Sequence, residues 1–226
     1  MDALKSSRYF SDPAVAAFVD DVQRGDLSRV KKALASGVSP NVQGSDGFRP
    51  IHFVFVARKA DVLRELLAAG ADPNARLSNG NTPLHFAVRM PNPDFTSALL
   101  AAKADPNAAG DSREPVIHMA TAYPGHQALD LLAKAGADIN IVWAGMTPLI
   151  HAIAEMTWTS AATLLRLGAD VTWKDRRGET AADWWCGQLK GQPVVQKYRA
   201  DVLALADAFA ARGVTLACAA DVQRFR

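Results

Sequence analysis

The sequence predicts an all-α solenoid of helix–turn–helix units joined by extended fingers and closed by a C-terminal helix. Three observations carry that expectation. The segments "GVSPN" (37–41), "GADPN" (70–74), "KADPN" (103–107), "GADIN" (136–140) and "GADVT" (168–172) begin 33, 33, 33 and 32 residues apart. The prolines Pro50, Pro83, Pro115 and Pro148, each heading a short apolar run, are spaced 33, 32 and 33 residues. A leucine stands four residues before the later turns (Leu66, Leu99, Leu132, Leu164), and "ADVLRELLAAG" (60–70) places Val62, Leu63, Leu66 and Leu67 at helical spacing. A unit this short cannot bury its apolar face alone, whereas stacked units share a core.

Read in order, the chain divides into six units within a single domain, 1–226. The first, 13–41, opens with Ser11 or Asp12 as a helix cap and Pro13 as the first helical residue. Its second helix, "DLSRVKKALASG", turns Arg29, Lys31 and Lys32 outward, as suits a repeat that meets water. Four inner units follow, 46–74, 79–107, 112–140 and 145–172. Thr82 or Thr147 caps the first helix, with proline at its first position, and Gly70 is placed to end a second helix in the left-handed conformation. The Asp-Pro-Asn segment then turns the chain into a finger. The sixth unit, 178–213, departs from the pattern: Ala181 replaces proline, and the bulky Trp184 and Trp185 follow, which implies altered packing. Both indoles are expected to pack against the C-terminal extension. There "YRADVLALADAFAARG" (198–213) aligns Val202, Leu205, Ala206 and Phe209 on one face after a break at "GQP" (191–193). The tail 214–226 has no evident pattern.

The element "TPLHFA" (82–87), recurring as Pro50-Ile51-His52, together with "GADPNA" (70–75) and the 33-residue period, resembles the ankyrin repeat over residues 14–190. That resemblance gives His52 and His85 a structural role in a hydrogen-bond network at the turns. His118 and His151 fall one place later, on a face expected to be more exposed. Successive histidines one repeat apart are expected about 10 Å from each other, too far to share a metal. Asp72, Asp105, Asp138 and Asp170 recur with the period and read as turn-forming carboxylates rather than as acids or bases.

Composition narrows the function. With 226 residues, 49% hydrophobic, 21% charged and a net charge of +2, the chain exerts no strong pull on nucleic acid or anionic membrane. No apolar run approaches the length of about 20 residues that spans a bilayer. Cys186 and Cys218 are too few for a disulfide framework or a zinc site and read as free thiols. Nucleophile elbows, phosphate-binding glycine loops, H-E-x-x-H and Cys-x-x-Cys are all missing from the sequence, so no catalytic residue, metal or cofactor is expected. An enzyme with its site in the tail is the remote alternative.

Ankyrin proteins bind partners through the fingers and the exposed ends of the first helices. By that resemblance the candidate partner-binding residues are Phe48, Arg76, Asn79, Arg113, Trp143, Trp173 and Arg176 on the fingers, and Arg89, Met90, Tyr123 and Glu155 at the helix ends. All five tryptophans lie in 143–185, and "KDRRG" (174–178) suits an acidic partner. The expected function is non-catalytic protein binding by a chain that is monomeric when free. The Ala/Arg-rich composition looks bacterial, and bacterial ankyrin proteins of this size include companions of secreted toxins. An immunity-type protein that neutralises a cognate toxin or effector is therefore the sharpest expectation, with a host-directed effector or scaffold as its rival. Without a visible export signal the default location is the cytoplasm. The periplasm becomes the alternative if an export segment preceded the chain, with "SSRYFSDP" as the linker after it.

Overall fold

The computed structural model describes residues 5–125, 127–190 and 198–226; the break expected at 191–193 lies outside them. Among the described residues the regular structure is helical. The two isolated β-bridges, Ala109 with Pro115 and Trp143 with Met146, both lie in fingers. The chain forms two compact units, Met1–Val116 and Ile117–Arg226.

In the first unit, α1 (Pro13–Arg24) starts as its sequence dictates: the Asp12 carboxylate accepts the Ala14 N–H, and Pro13 needs no partner there. Helix α2 (Leu27–Ala35) is capped by Asp26, and it exposes Arg29, Lys31 and Lys32 as expected. Two short inner helices, α3 (Val54–Ala57) and α5 (Pro83–Ala87), pair with the outer helices α4 (Ala60–Ala68) and α6 (Asp94–Ala101). Outer helices pack on one another, α2 on α4 and α4 on α6, and the ion pairs Lys31–Glu65 and Arg64–Asp94 bridge those contacts at the surface. Val62, Leu63 and Leu66 of α4 are fully buried. The helix ends where Gly70, at φ +86°, lets the Ala71 N–H reach back to the Leu66 carbonyl.

The segment "SSRYFSDP", a linker only under the periplasmic alternative, is folded onto the first unit. Ser6–Arg8 form a turn of 3-10 helix, Ser6 and Phe10 are buried, and the Tyr9 ring lies 4.2 Å from that of Phe48. The Tyr9 carbonyl accepts the Ser45 N–H just as the Asp46 carbonyl accepts the Ser78 N–H of the next finger. The segment thus serves as the finger that would otherwise be missing before the first one.

In the second unit α7 (Val116–Thr121) and α9 (Pro148–Ala154) are inner helices, and α8 (Ala128–Lys134) and α10 (Trp158–Leu167) outer ones. Helix α11 (Ala181–Leu189) packs on α9, and α12 (Arg199–Ala211) packs on α10. The expected face of α12 is the buried one: Val202, Leu205, Ala206 and Phe209 all face inward. Trp185 is fully buried and stacks on Phe209 with ring centroids 5.6 Å apart, so the extension does receive it. Trp184 does not enter the core. It is half-buried, because its indole N–H reaches the Asp175 carboxylate and its ring carries the Arg177 guanidinium at 4.9 Å.

The tail 214–226 folds back as α13 (Ala219–Gln223), with Cys218, Val222 and Phe225 buried. Its anchor corrects the reading of the cysteines. Cys186 and Cys218 are joined in a disulfide, with Cα atoms 5.2 Å apart. The tail's return beside α12 brings together two residues that are 32 apart in sequence.

Glycine is required at one further point. A Cβ on Gly110 would sit 2.7 Å from His85 Nε2 and against the Asn81 side chain, whose oxygen accepts the Asp111 N–H. Gly110→Ala is expected to destabilise the first unit by about 1–3 kcal/mol. Faster hydrogen exchange in residues 75–115 would report it.

Candidate finger surface

Each finger grows from a turn that its carboxylate builds. Asp72, Asp105, Asp138 and Asp170 accept the N–H two residues on, from Asn74, Asn107, Asn140 and Thr172, at 2.8–2.9 Å. The asparagines then link turn to turn. In the first unit the Asn41 side chain accepts the Asp72 N–H and donates to the Gly70 carbonyl, and Asn74 treats Asp105 and Lys103 in the same way. In the second unit Asn140 accepts the Asp170 N–H. These carboxylates are fixed as frame.

The histidines tie the fingers to the inner helices. His52 Nδ1 accepts the Arg49 N–H, and its Nε2–H donates to the Ala75 carbonyl 23 residues on. His85 Nδ1 accepts the Thr82 N–H in the same manner. His118 is fully buried, not more exposed, and its Nε2–H donates to the Ile141 carbonyl, again 23 residues on. The cause is a compensation. Helix α7 starts at Val116 rather than at proline, so His118 is its third residue, as His85 is of α5. Helix α9 keeps Pro148 at its start, which leaves His151 fourth and half-buried, as its shifted position implies. Thr121 Oγ donates to the His118 carbonyl, so at 2.8 Å it must accept from His151 Nδ1–H. Burial pushes His52 and His118 down to about 4, and lowers His85 and His151 as well.

The His118 and His151 rings lie 5.3 Å apart, not the spacing of one repeat, because the side chains lean towards each other beneath Trp143. Trp143 packs edge-on to both, at 5.6 and 6.1 Å. Among the described residues no group of three or more His, Cys, Asp or Glu is arranged to hold a metal ion.

The candidate partner-binding residues therefore divide by what holds them. In the first unit Phe48 is half-buried among Tyr9, Phe53 and His52. Arg76 is exposed, but its guanidinium donates to the carbonyls of Gly80 and Ala109 and stiffens the finger. Asn79 accepts the Asn81 N–H within its own turn. Arg89 and Arg113 are exposed, and Met90 is half-buried. In the second unit Trp143, Trp173 and Tyr123 are half-buried, while Arg176 and Glu155 are exposed. The basic run is split: Arg177 turns back into ion pairs with Asp175 and Glu179, whereas Lys174 and Arg176 face solvent. The Asp175 carboxylate is held below its usual range by the Glu179 N–H first, and also by Trp184 and Arg177, so this finger is internally braced.

Two residues escaped the sequence reading. Val142, on the finger beside Trp143, and Met156, just after α9, are each 50% exposed. An apolar residue in a finger is the same signal that marked Trp143, and it would have found Val142. Met156 occupies a left-handed position (φ +57°) that its sequence does not announce.

Paired short and long helices, linked turns and projecting fingers define a repeat scaffold of the protein-binding class. The chain carries ankyrin repeats. Residues 18–110 match the family model for ankyrin repeats (3 copies). The fold is that of an ankyrin repeat domain, similar to the crystal structure of the ankyrin repeat domain of Bcl-3, a unique member of the IκB protein family. That likeness has a TM-score of 0.71 and 25% identity, over 84% of this chain and 85% of that one. No curated protein matches the sequence. Ankyrin repeats generally mediate protein–protein binding, and among the described residues no helix is long and apolar enough to cross a membrane.

Proposed function

We propose that the protein is a non-catalytic binding module whose partner docks on the fingers and inner-helix ends of the second unit. The observation that carries this reading is the set of side chains the frame does not absorb. Val142 and Met156 are half exposed, Trp173 is half-buried in a finger, and Lys174 and Arg176 face solvent beside it. Apolar and aromatic anchors rimmed by basic groups suit a protein partner with an acidic patch. In the first unit Arg76 and Phe48 are engaged within the fold, and Arg113 is exposed on its finger.

The partner we favour is a secreted toxin or effector, neutralised when the fingers cover a surface it needs. The disulfide supports the setting, because such bonds persist in oxidising compartments such as the periplasm and are rare in cytosol. The test is a tagged pull-down from the source organism beside a Trp173→Ala, Arg176→Ala variant. One stoichiometric protein is expected with the parent, lost at least tenfold in the variant while its melting is unchanged. A hydrolase or toxin would support neutralisation, and a host-type protein would favour recruitment. Equal retention by the variant overturns the finger assignment.

A further inference from the structure

We propose that the Cys186–Cys218 bridge is a redox latch: its formation closes residues 214–226 over the second unit, and its reduction releases them. The proposal takes from the preceding reading only the oxidising compartment and is independent of what the fingers bind. Three features of the tail carry it. Helix α13 is five residues long, far below the length at which a helix holds itself. The apolar side chains it buries are few, Val222 and Phe225 besides Cys218. Polar ties add to these at the start of the tail, where the Val214 N–H donates to the Phe209 carbonyl, and at its far end, where the Arg199 guanidinium donates to the carbonyls of Phe225 and Arg226, and Arg226 pairs with Asp207 at 3.7 Å. The bridge is the one covalent tie, and it fastens the tail to α11, next to Trp185.

The two cysteines are not equivalent. Cys186 is half-buried on α11 and Cys218 is buried, so an incoming thiolate meets Cys186 Sγ first. In the reducing direction a dithiol donor forms a mixed disulfide with Cys186, and Cys218 leaves as a thiolate that takes up a proton. The donor's second thiolate then displaces Cys186 and leaves as a cyclic or protein disulfide. Two electrons and two protons pass to the chain. In the closing direction the two thiols pass them to a disulfide oxidant, which leaves as a dithiol. Released, the tail bares the face of α12 that carries Ala206 and Ala210, which in the closed form line a groove together with the tail's own Val214 and Val222. The chain would then acquire its finished C-terminal cap only after reaching an oxidising compartment.

The test uses the full chain in two redox states, oxidised and treated with dithiothreitol, beside a Cys186→Ala, Cys218→Ala variant. Thiol alkylation read by mass spectrometry counts the bridge, and hydrogen exchange reads the tail. The expected result is a bridge that dithiothreitol opens in the folded protein. Exchange in residues 214–226 should then rise at least tenfold, in the double variant too, while residues 13–110 are unchanged. Two free thiols in protein recovered from its native location would overturn both the compartment and the latch. A bridge that dithiothreitol cannot open while the unit stays folded, or a tail equally protected in all three samples, would overturn the latch alone.

Discussion

Trp185→Ala is expected to lower the unfolding free energy of the second unit by about 3–5 kcal/mol, the cost of emptying a fully buried indole site. Trp185 lies under α12 against Phe209, so its loss opens a cavity between α11 and the helix that covers it. Urea denaturation followed by tryptophan fluorescence measures this directly, because all five tryptophans lie between 143 and 185, inside that unit. Trp185→Phe separates packing from polarity. It keeps a ring against Phe209 and removes a buried indole N–H that has no acceptor. Its cost should stay below about 1.5 kcal/mol. Equal losses for the two variants would show that the stack contributes nothing.

Acid should act on both units separately. His52 in the first and His118 in the second are buried neutral, with folded values of about 4 against 6.5 for an ordinary imidazole. Below 6.5 the unfolded chain takes up protons that the folded chain refuses. Stability is therefore full above pH 6.5, falls between 6.5 and 4, and levels off once the folded form also binds them. Each histidine accounts for about 3 kcal/mol across that window. His85 and His151 add in the same direction. Denaturation at pH 7.5, 5.5 and 4.5 checks it: His118→Gln should flatten the profile seen by fluorescence and leave that of the first unit intact. A variant with the parent's slope would place the acid sensitivity elsewhere.

Much of the frame was legible because it is local and periodic. The Asp12 cap, the Thr82 and Thr147 helix starts, the left-handed Gly70 and the apolar face of α12 each depend on neighbours within a few residues, and the period repeats the signal. Asp183 shows how far this extends. It stands where other units carry histidine and performs the same task, accepting the Thr180 N–H at 2.9 Å. What escaped was not periodic. The cysteine pairing depends on where a patternless tail returns, and the docking of Ser6–Phe10 depends on a finger it imitates. The burial of His118 was missed because the motif was counted from the proline. The helix counts from its own first residue, which had moved by one. At the surface, composition marked Trp143 and Trp173 but could not show that Trp143 leans on two histidines, or that Arg76 and Arg177 are spent within the fingers.

The asparagine links at the turns have a consequence for how such a chain changes over generations. Asn41, Asn74 and Asn140 recognise backbone atoms and so take no account of which side chains the following unit carries. A joint that does not read its neighbour's identity lets whole units be duplicated, lost or exchanged by recombination without rewriting the joint. A gain or loss of one residue between joints is tolerated as well: Asn140 reaches Asp170 across 30 residues where Asn41 and Asn74 reach Asp72 and Asp105 across 31. Such chains can therefore diversify by copying, with the fingers free to acquire new sequence between the repeated couplings.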